Sequence, residues 1–203
     1  TSIEHIENSL PDYIKLAYLP HLNLVRLRLS SKSIEHSVEE LSTQIQEVFN
    51  QIKMIIGDSW FEGETRLSAV VAESLVTNEK TIGTIESCTG GFIASKLTEI
   101  PGSSAYFKGS LLTYAYETKV SLAKIDQNLL NEVGAVSKEV CEMMAKNAQN
   151  ILEVDYCISS TGIAGPGGGT NEKPVGLVFI GLAKPDGSVM VEKCQFYGTR
   201  QQI

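Results

Sequence analysis

Three stretches of the chain carry side chains that could do chemistry. The first is Glu86-Ser87-Cys88-Thr89-Gly90-Gly91, read as the turn from a strand into a helix. Gly90 and Gly91 let a backbone approach a ligand closely, Ser87 and Thr89 add hydroxyls, and free N–H groups opening a helix attract an anion. The second is Thr161-Gly162-Ile163-Ala164-Gly165-Pro166-Gly167-Gly168-Gly169-Thr170, again following a strand. Its five glycines in eight positions, from Gly162 to Gly169, mark a backbone with unusual dihedrals or a close ligand, or simply a flexible surface loop. It is neither a phosphate-binding G-x-x-x-x-G-K-[ST] loop nor a dinucleotide fingerprint, because Thr170 stands where the third glycine would be. The third is Gly102-Ser103-Ser104-Ala105-Tyr106-Phe107, with Tyr114 and Lys119 downstream, a weak signal by itself.

The absence of one residue type narrows the options. All three histidines (His5, His21, His36) precede residue 37, so residues 66–203 have none. A Ser-His-Asp or Cys-His hydrolase, or a histidine-ligated zinc site, cannot be built from that part alone. A nucleophile there must be activated by lysine or tyrosine, or a carboxylate must act on water. A lysine base needs its pKa brought well below its usual ~10.4, so it should be partly buried. Ser121-Leu122-Ala123-Lys124 matches the S-x-x-K acyl-transfer motif, but no S-D-N or K-T-G follows, and it reads as a chance match on an amphipathic helix.

The elements that position these residues follow from periodicity. Residues 12–30 read as strands, with Val25, Leu27 and Leu29 alternating against Arg26 and Arg28 over Leu22–Leu29. Val38, Leu41, Ile45, Val48, Phe49, Ile52 and Ile56 form one apolar stripe of a helix over 34–56, stopped at Gly57. The segment Gly57–Thr65 is the expected boundary between a domain at 1–65 and one at 66–203. Beyond it the pattern alternates: helix 67–76, strand 81–85, helix 90–99, strand 109–116, helix 118–125, a long helix to Leu152 capped by Ser137, strand 155–160, and a hairpin of 176–183 with 188–196 turned by Pro185-Asp186-Gly187. Strands separated by helices and closed by a hairpin argue for an α/β fold, a three-layer α/β/α domain on a mixed sheet.

The 203 residues carry 17 basic and 24 acidic side chains, net −7. Residues 1–65 hold 5 basic and 10 acidic of these, net −5, and residues 66–203 only −2. No apolar run approaches the ~18 residues of a membrane helix, so no membrane partner is expected. Cys88, Cys141, Cys157 and Cys194 have no C-x-x-C spacing and read as free thiols of a reducing cytoplasm. The chain opens on Thr1 and not on Met, as a piece of a longer protein would.

Taken together, Glu86–Gly91, Gly102–Phe107, Gly134-Ala135-Val136-Ser137, Thr161–Pro166 and Lys173-Pro174-Val175-Gly176, in that order over residues 67–203, resemble the C-terminal domain of the CinA family. Residues 13–62 resemble the small α+β, KH-type domain that precedes it, which implies that an N-terminal molybdopterin-binding-like domain is missing here and that a last helix is cut short. The resemblance implies a nicotinamide mononucleotide (NMN) deamidase of NAD salvage, a Ser/Lys amidohydrolase without metal or other cofactor. Carried over by position, Ser104 is the expected nucleophile, Lys119 its base and Tyr114 its helper. Ser87 and Thr161 would orient substrate or oxyanion, and Arg200 would stand near phosphate. Thr89, Gly90, Gly91, Gly162, Gly165 and Gly167 are further candidates for substrate contact. Family members often carry an acidic residue between Pro166 and Gly168, where this chain has Gly167. The expected partner is therefore a small pyridine nucleotide, with a homodimer possible. The rival reading is a non-catalytic nucleotide-binding or regulatory module. Nucleic acid is not expected, since residues 1–65 are acidic and lack a G-x-x-G loop.

Overall fold

The computed structural model describes residues 3–21, 24–61 and 66–203, and the chain divides into two units, Thr1–Thr65 and Arg66–Ile203. Residues 22–23 of the expected strand alternation and 62–65 of the expected boundary segment lie outside the described residues.

The first unit runs α1 (Glu4–Ser9), β1 (Ile14–His21), β2 (Leu24–Ser31) and α2 (Val38–Ile56). β1 and β2 form an antiparallel hairpin. One face of it buries Leu16 and Leu27 against Ile52, Val48 and Ile56 of α2, with Ile3, Ile6 and Trp60 closing the cluster. Val48, Ile52 and Ile56 of the expected stripe thus belong to this unit's own core, whereas Val38 at its start is exposed. α2 begins at Val38 and not at residue 34 because Ser37 caps it: the Glu40 N–H donates to Ser37 Oγ (3.2 Å), and the Ser37 N–H donates to the Glu40 carboxylate (2.7 Å). The short α1 has no counterpart in the sequence reading.

The second unit contains α3 (Leu67–Thr77), β3 (Ile82–Glu86), α4 (Phe92–Thr98), β4 (Phe107–Leu112), α5 (Tyr116–Ser121), α6 (Gln127–Val133), α7 (Lys138–Leu152), β5 (Tyr156–Gly162), β6 (Leu177–Ala183) and β7 (Val189–Gln195). The five strands form one mixed sheet in the order β4-β3-β5-β6-β7. β4, β3 and β5 are parallel, whereas β6 and β7 run antiparallel to their neighbours. α3 and α4 cover one face through Ala72, Leu75 and Leu97, packed with Ile82 and Tyr106. α5, α6 and α7 cover the other, where Val140, Met144, Ala145 and Ala148 pack with Ile85, Ile125 and Leu130. This is the three-layer α/β/α arrangement. No helix among the described residues is long and apolar enough to cross a membrane.

Two departures from the sequence reading bear on the site. β4 ends at Leu112, so Tyr114 lies in the loop before α5 and not in a strand. α6 was not anticipated; Asp126 caps it by accepting the Asn128 N–H at 2.8 Å.

Met144 is fully buried at the centre of the α7 face. Met144→Ala should lower the stability of the second unit by about 2–5 kcal/mol through lost burial and the cavity left behind, as measured by urea unfolding.

Candidate active site

In an open α/β sheet the loops leaving the carboxyl ends of parallel strands share one edge, and ligands bind there. Glu86 of β3 pairs with Leu112 of β4 and Ser160 of β5, so Ser87, Thr113 and Thr161 emerge side by side. Among the described residues a cleft of about 260 Å³ opens over this edge, lined by Ser87, Cys88, Tyr114, Lys119, Thr161 and Arg200, with Ala135–Val136 and the segment Gly162–Gly168 less Pro166 forming its walls.

Lys119 of α5 is at the bottom of this cleft, 1% exposed. Its Nζ donates to the carbonyls of Thr113 (2.6 Å) and Tyr114 (3.3 Å) and lies 3.0 Å from Ser87 Oγ. Both carbonyls are free to accept because β4 has ended and α5 has not begun. Burial holds the Lys119 pKa below the ordinary lysine value, opposed by the nearby Cys88 thiol. Nζ thus has three oxygen acceptors; if the amine loses its proton, two N–H groups remain for the two carbonyls and the lone pair can take the Ser87 hydroxyl. Burial raises the pKa of Cys88 itself, keeping it a thiol beside Ser87.

The turn carrying Ser87 is held from below by Glu86, which is completely buried. Its carboxylate accepts the N–H groups of Gly91 (3.0 Å), Ile93 (3.1 Å) and Ala94 (2.8 Å), and the hydroxyls of Thr89 (2.7 Å) and Thr84 (3.2 Å). Thr89 Oγ1 also lies 2.6 Å from Ser160 Oγ on β5. The expectation that this helix start holds a ligand anion is therefore corrected: the protein's own carboxylate already fills it. Thr89, Gly90 and Gly91 do not line the cleft among the described residues. Glu86 was visible in the sequence as a carboxylate closing an apolar strand, yet was not among the expected site residues.

Ser104 is the second correction. It lies exposed on the 3-10 turn Ser103–Ala105, just before β4 begins. Residues preceding a parallel strand stand at the amino edge of the sheet, and those following it at the carboxyl edge. Ser104 is thus the length of β4 away from Lys119, on the order of 15–20 Å at ~3.3 Å per residue. The hydroxyl beside the amine belongs to Ser87.

The remaining expected residues converge on the cleft. Thr161 Oγ1 donates to the Ala135 carbonyl at 2.8 Å, tying β5 to the loop before α7. Gly162 has its strand neighbours so close that a Cβ would meet Val178 Cγ2 at 2.7 Å and the Leu177 carbonyl at 2.8 Å. Gly165 and Gly167 line the wall. Arg200 bridges the mouth, donating from one guanidinium nitrogen to the Gly165 carbonyl (2.7 Å) and from the other to Tyr114 Oη (2.6 Å). Lys124 of the S-x-x-K match turns away, donating to the Ser121 carbonyl at 2.7 Å.

The cleft thus sets a buried lysine against a serine at the carboxyl edge of a three-layer α/β/α domain that has no histidine. The family model of the CinA C-terminal domain matches residues 64–203, and the chain belongs to the CinA family. It is 42% identical over 205 residues to a CinA-like protein of Flavobacterium psychrophilum, covering 99% of this chain and 48% of that protein. A CinA-like protein of Chlorobaculum tepidum is 40% identical over 205 residues, covering 98% and 48%. The chain thus spans about half the length of the curated relatives it matches. The crystal structure of the competence/damage inducible protein CihA from Agrobacterium tumefaciens superposes with a TM-score of 0.66 at 36% identity, covering 71% of this chain and 88% of that one. The competence damage-inducible protein A (ComA) of Klebsiella pneumoniae gives 0.64 at 27%, covering 66% and 83%.

Glu86→Gln places an amide NH2 among donors that need acceptors. It should cost about 1.5–3 kcal/mol of stability and speed hydrogen exchange at the Ile93 and Ala94 amides, read by NMR.

Proposed function

We propose that the second unit is an amidohydrolase that converts nicotinamide mononucleotide to nicotinic acid mononucleotide and ammonia, in salvage of NAD. The observation that carries this reading is the Ser87–Lys119 pair, 3.0 Å apart, with the lysine nitrogen buried and donating to two carbonyls. Ser87 is the nucleophile, in place of Ser104. Its Oγ attacks the carboxamide carbon as its proton passes to the Lys119 lone pair. The tetrahedral intermediate collapses with transfer of that proton to the leaving nitrogen, releasing ammonia and leaving a seryl ester. Neutral Lys119 then takes a proton from water attacking the ester. The second tetrahedral intermediate expels Ser87 Oγ as that proton returns to it, and the acid product ionises to its carboxylate and departs.

The surroundings support a nucleotide amide as substrate. Thr161 Oγ1 donates to a carbonyl and keeps lone pairs that can accept a carboxamide N–H. The Arg200 guanidinium and no carboxylate line the cleft among the described residues, although the whole chain is net −7. Arg200 stands at the mouth beside Tyr114, where the phosphate of a nucleotide bound amide-first would lie, and its guanidinium suits a bidentate grip on that group. All of these groups lie in the second unit, and we read residues 1–65 as a KH-type unit.

The test is ammonia release from nicotinamide mononucleotide. Ser87→Ala and Lys119→Ala should each lower kcat/KM by at least about a thousandfold, whereas Ser104→Ala leaves it within about twofold. A folded parent that releases no ammonia sinks the deamidase reading in favour of a nucleotide-binding module. Because the base must be unprotonated, kcat/KM should rise with pH as Lys119 loses its proton. It should level off above a midpoint lying below the ordinary lysine value of about 10.4, since burial lowers the pKa.

A further inference from the structure

Thr113 sits immediately beyond β4, fully buried, and its backbone is completely used. Its N–H donates to the Glu86 carbonyl (2.8 Å), and its own carbonyl takes the shortest bond that Lys119 makes (2.6 Å). Its side chain is another matter. Thr113 Oγ1 is the one buried side-chain nitrogen or oxygen among the described residues without a hydrogen-bond partner. Buried hydroxyls are nearly always satisfied, and a valine would fill the same volume with no polar atom to satisfy. An unpaired hydroxyl on the very residue that holds the candidate base is therefore out of place in the resting state.

The reaction itself changes the count of donors beside it. A neutral Lys119 has two N–H groups, for the Thr113 and Tyr114 carbonyls, of which the second bond is long at 3.3 Å. Once the amine takes the Ser87 proton, the Ser87 O–H bond is broken and a third N–H exists. At that moment Ser87 Oγ is bonding to the acyl carbon and is a poor acceptor. The other polar groups around the amine do not replace it: Cys88, from the turn after β3, carries a weakly accepting thiol. Tyr114 and Arg200, from the β4–α5 loop and the C-terminal segment, are bonded to each other at the mouth. Behind Ser87, Glu86 is committed to α4, and Glu117 on α5 itself is exposed. Rotation about one bond moves Thr113 Oγ1 among three staggered positions around a residue already in contact with Nζ.

We infer that Thr113 is a positioning residue whose hydroxyl oxygen accepts a Lys119 N–H when the amine has taken the Ser87 proton. The hydroxyl thus stabilises the ammonium relative to the amine, and its unpaired state is the resting half of that cycle. The catalytic role of the Ser87–Lys119 pair rests on the reading above; the effect on the lysine does not.

The experiment compares the parent chain with Thr113→Val, Thr113→Ala and Thr113→Ser. The Lys119 side chain is titrated by NMR with no substrate present and with Ser87→Ala in every chain, so that no serine oxygen can take the third N–H; thermal unfolding and ammonia release are followed in chains that keep Ser87. Loss of the hydroxyl in Thr113→Val should leave Tm equal or higher, lower the Lys119 midpoint by about half a unit to one unit, and reduce kcat about three- to thirtyfold with little change in KM. Thr113→Ala should show the same midpoint shift, and Thr113→Ser should restore both midpoint and kcat. An unchanged Lys119 titration in both Thr113→Val and Thr113→Ala overturns the inference. Should the parent release no ammonia while the midpoint still moves, the deamidase reading falls and the link between Thr113 and Lys119 stands.

Discussion

The second unit is organised around one buried carboxylate. Glu86 closes the central strand β3 and gathers three backbone N–H groups and two hydroxyls, and through Thr89 it reaches Ser160 on β5. A buried carboxylate without partners would be strongly destabilising, so this one is tolerated only because every lone-pair direction meets a donor. The consequence is geometric. With the α4 N–H groups bound to Glu86, the chain from Ser87 to Gly91 must fold as a tight turn over the sheet edge. Ser87 is the first residue of that turn, its N–H donating to the Ser160 carbonyl (3.0 Å) and its carbonyl accepting from Gly90 (3.2 Å). The hydroxyl is held in place by the backbone at both ends of its own residue.

Lys119 is held by a different balance. A lysine at 1% exposure loses the hydration of its ammonium, and no carboxylate bonds to it. Two carbonyls and a hydroxyl can accept the three N–H groups of an ammonium, yet they compensate its full charge only in part. The balance therefore moves toward the uncharged form, which is the form able to take a proton. In the function proposed above, this desolvation is how an ordinary lysine becomes a usable base in a unit without histidine. It also explains the plain surroundings of the cleft: a carboxylate there would pair with the ammonium and undo the effect.

Much of this was legible beforehand, for identifiable reasons. The alternation of strands and helices, the cap at Ser137 and the hairpin turned at Pro185–Gly187 follow from local chemistry, and the structure has each of them. Counting histidines excluded a histidine base in residues 66–203 and left lysine, tyrosine or a carboxylate on water open; the structure then shows a lysine buried against a serine. Ser104 misled because the motif was matched along the chain, without asking which end of a strand it precedes. Gly90 and Gly91 misled because an open helix start was assumed, although the carboxylate that fills it stands four residues before Gly90 in the same motif. Thr113 carried no signal at all. A threonine after a strand is unremarkable until its hydroxyl is found buried and unpaired, and that is a property of packing.

The topology explains why serine and lysine meet where they do. β3 and β4 are neighbours, but their outgoing connections leave on opposite faces: β3 into α4, packed on the face of Tyr106 and Leu97, and β4 into α5–α7, packed on the face of Ile125 and Met144. Where adjacent parallel strands send their chains to opposite sides, the loops part and leave a crevice at the carboxyl edge. One wall of that crevice is the turn carrying Ser87, and the other is the loop and helix carrying Lys119. The two side chains approach across the gap that the chain reversal creates. Within one chain, residues that precede a parallel strand stand at the opposite edge of the sheet, which is the physical reason that Ser104 lies far from Lys119 and Ser87 lies beside it.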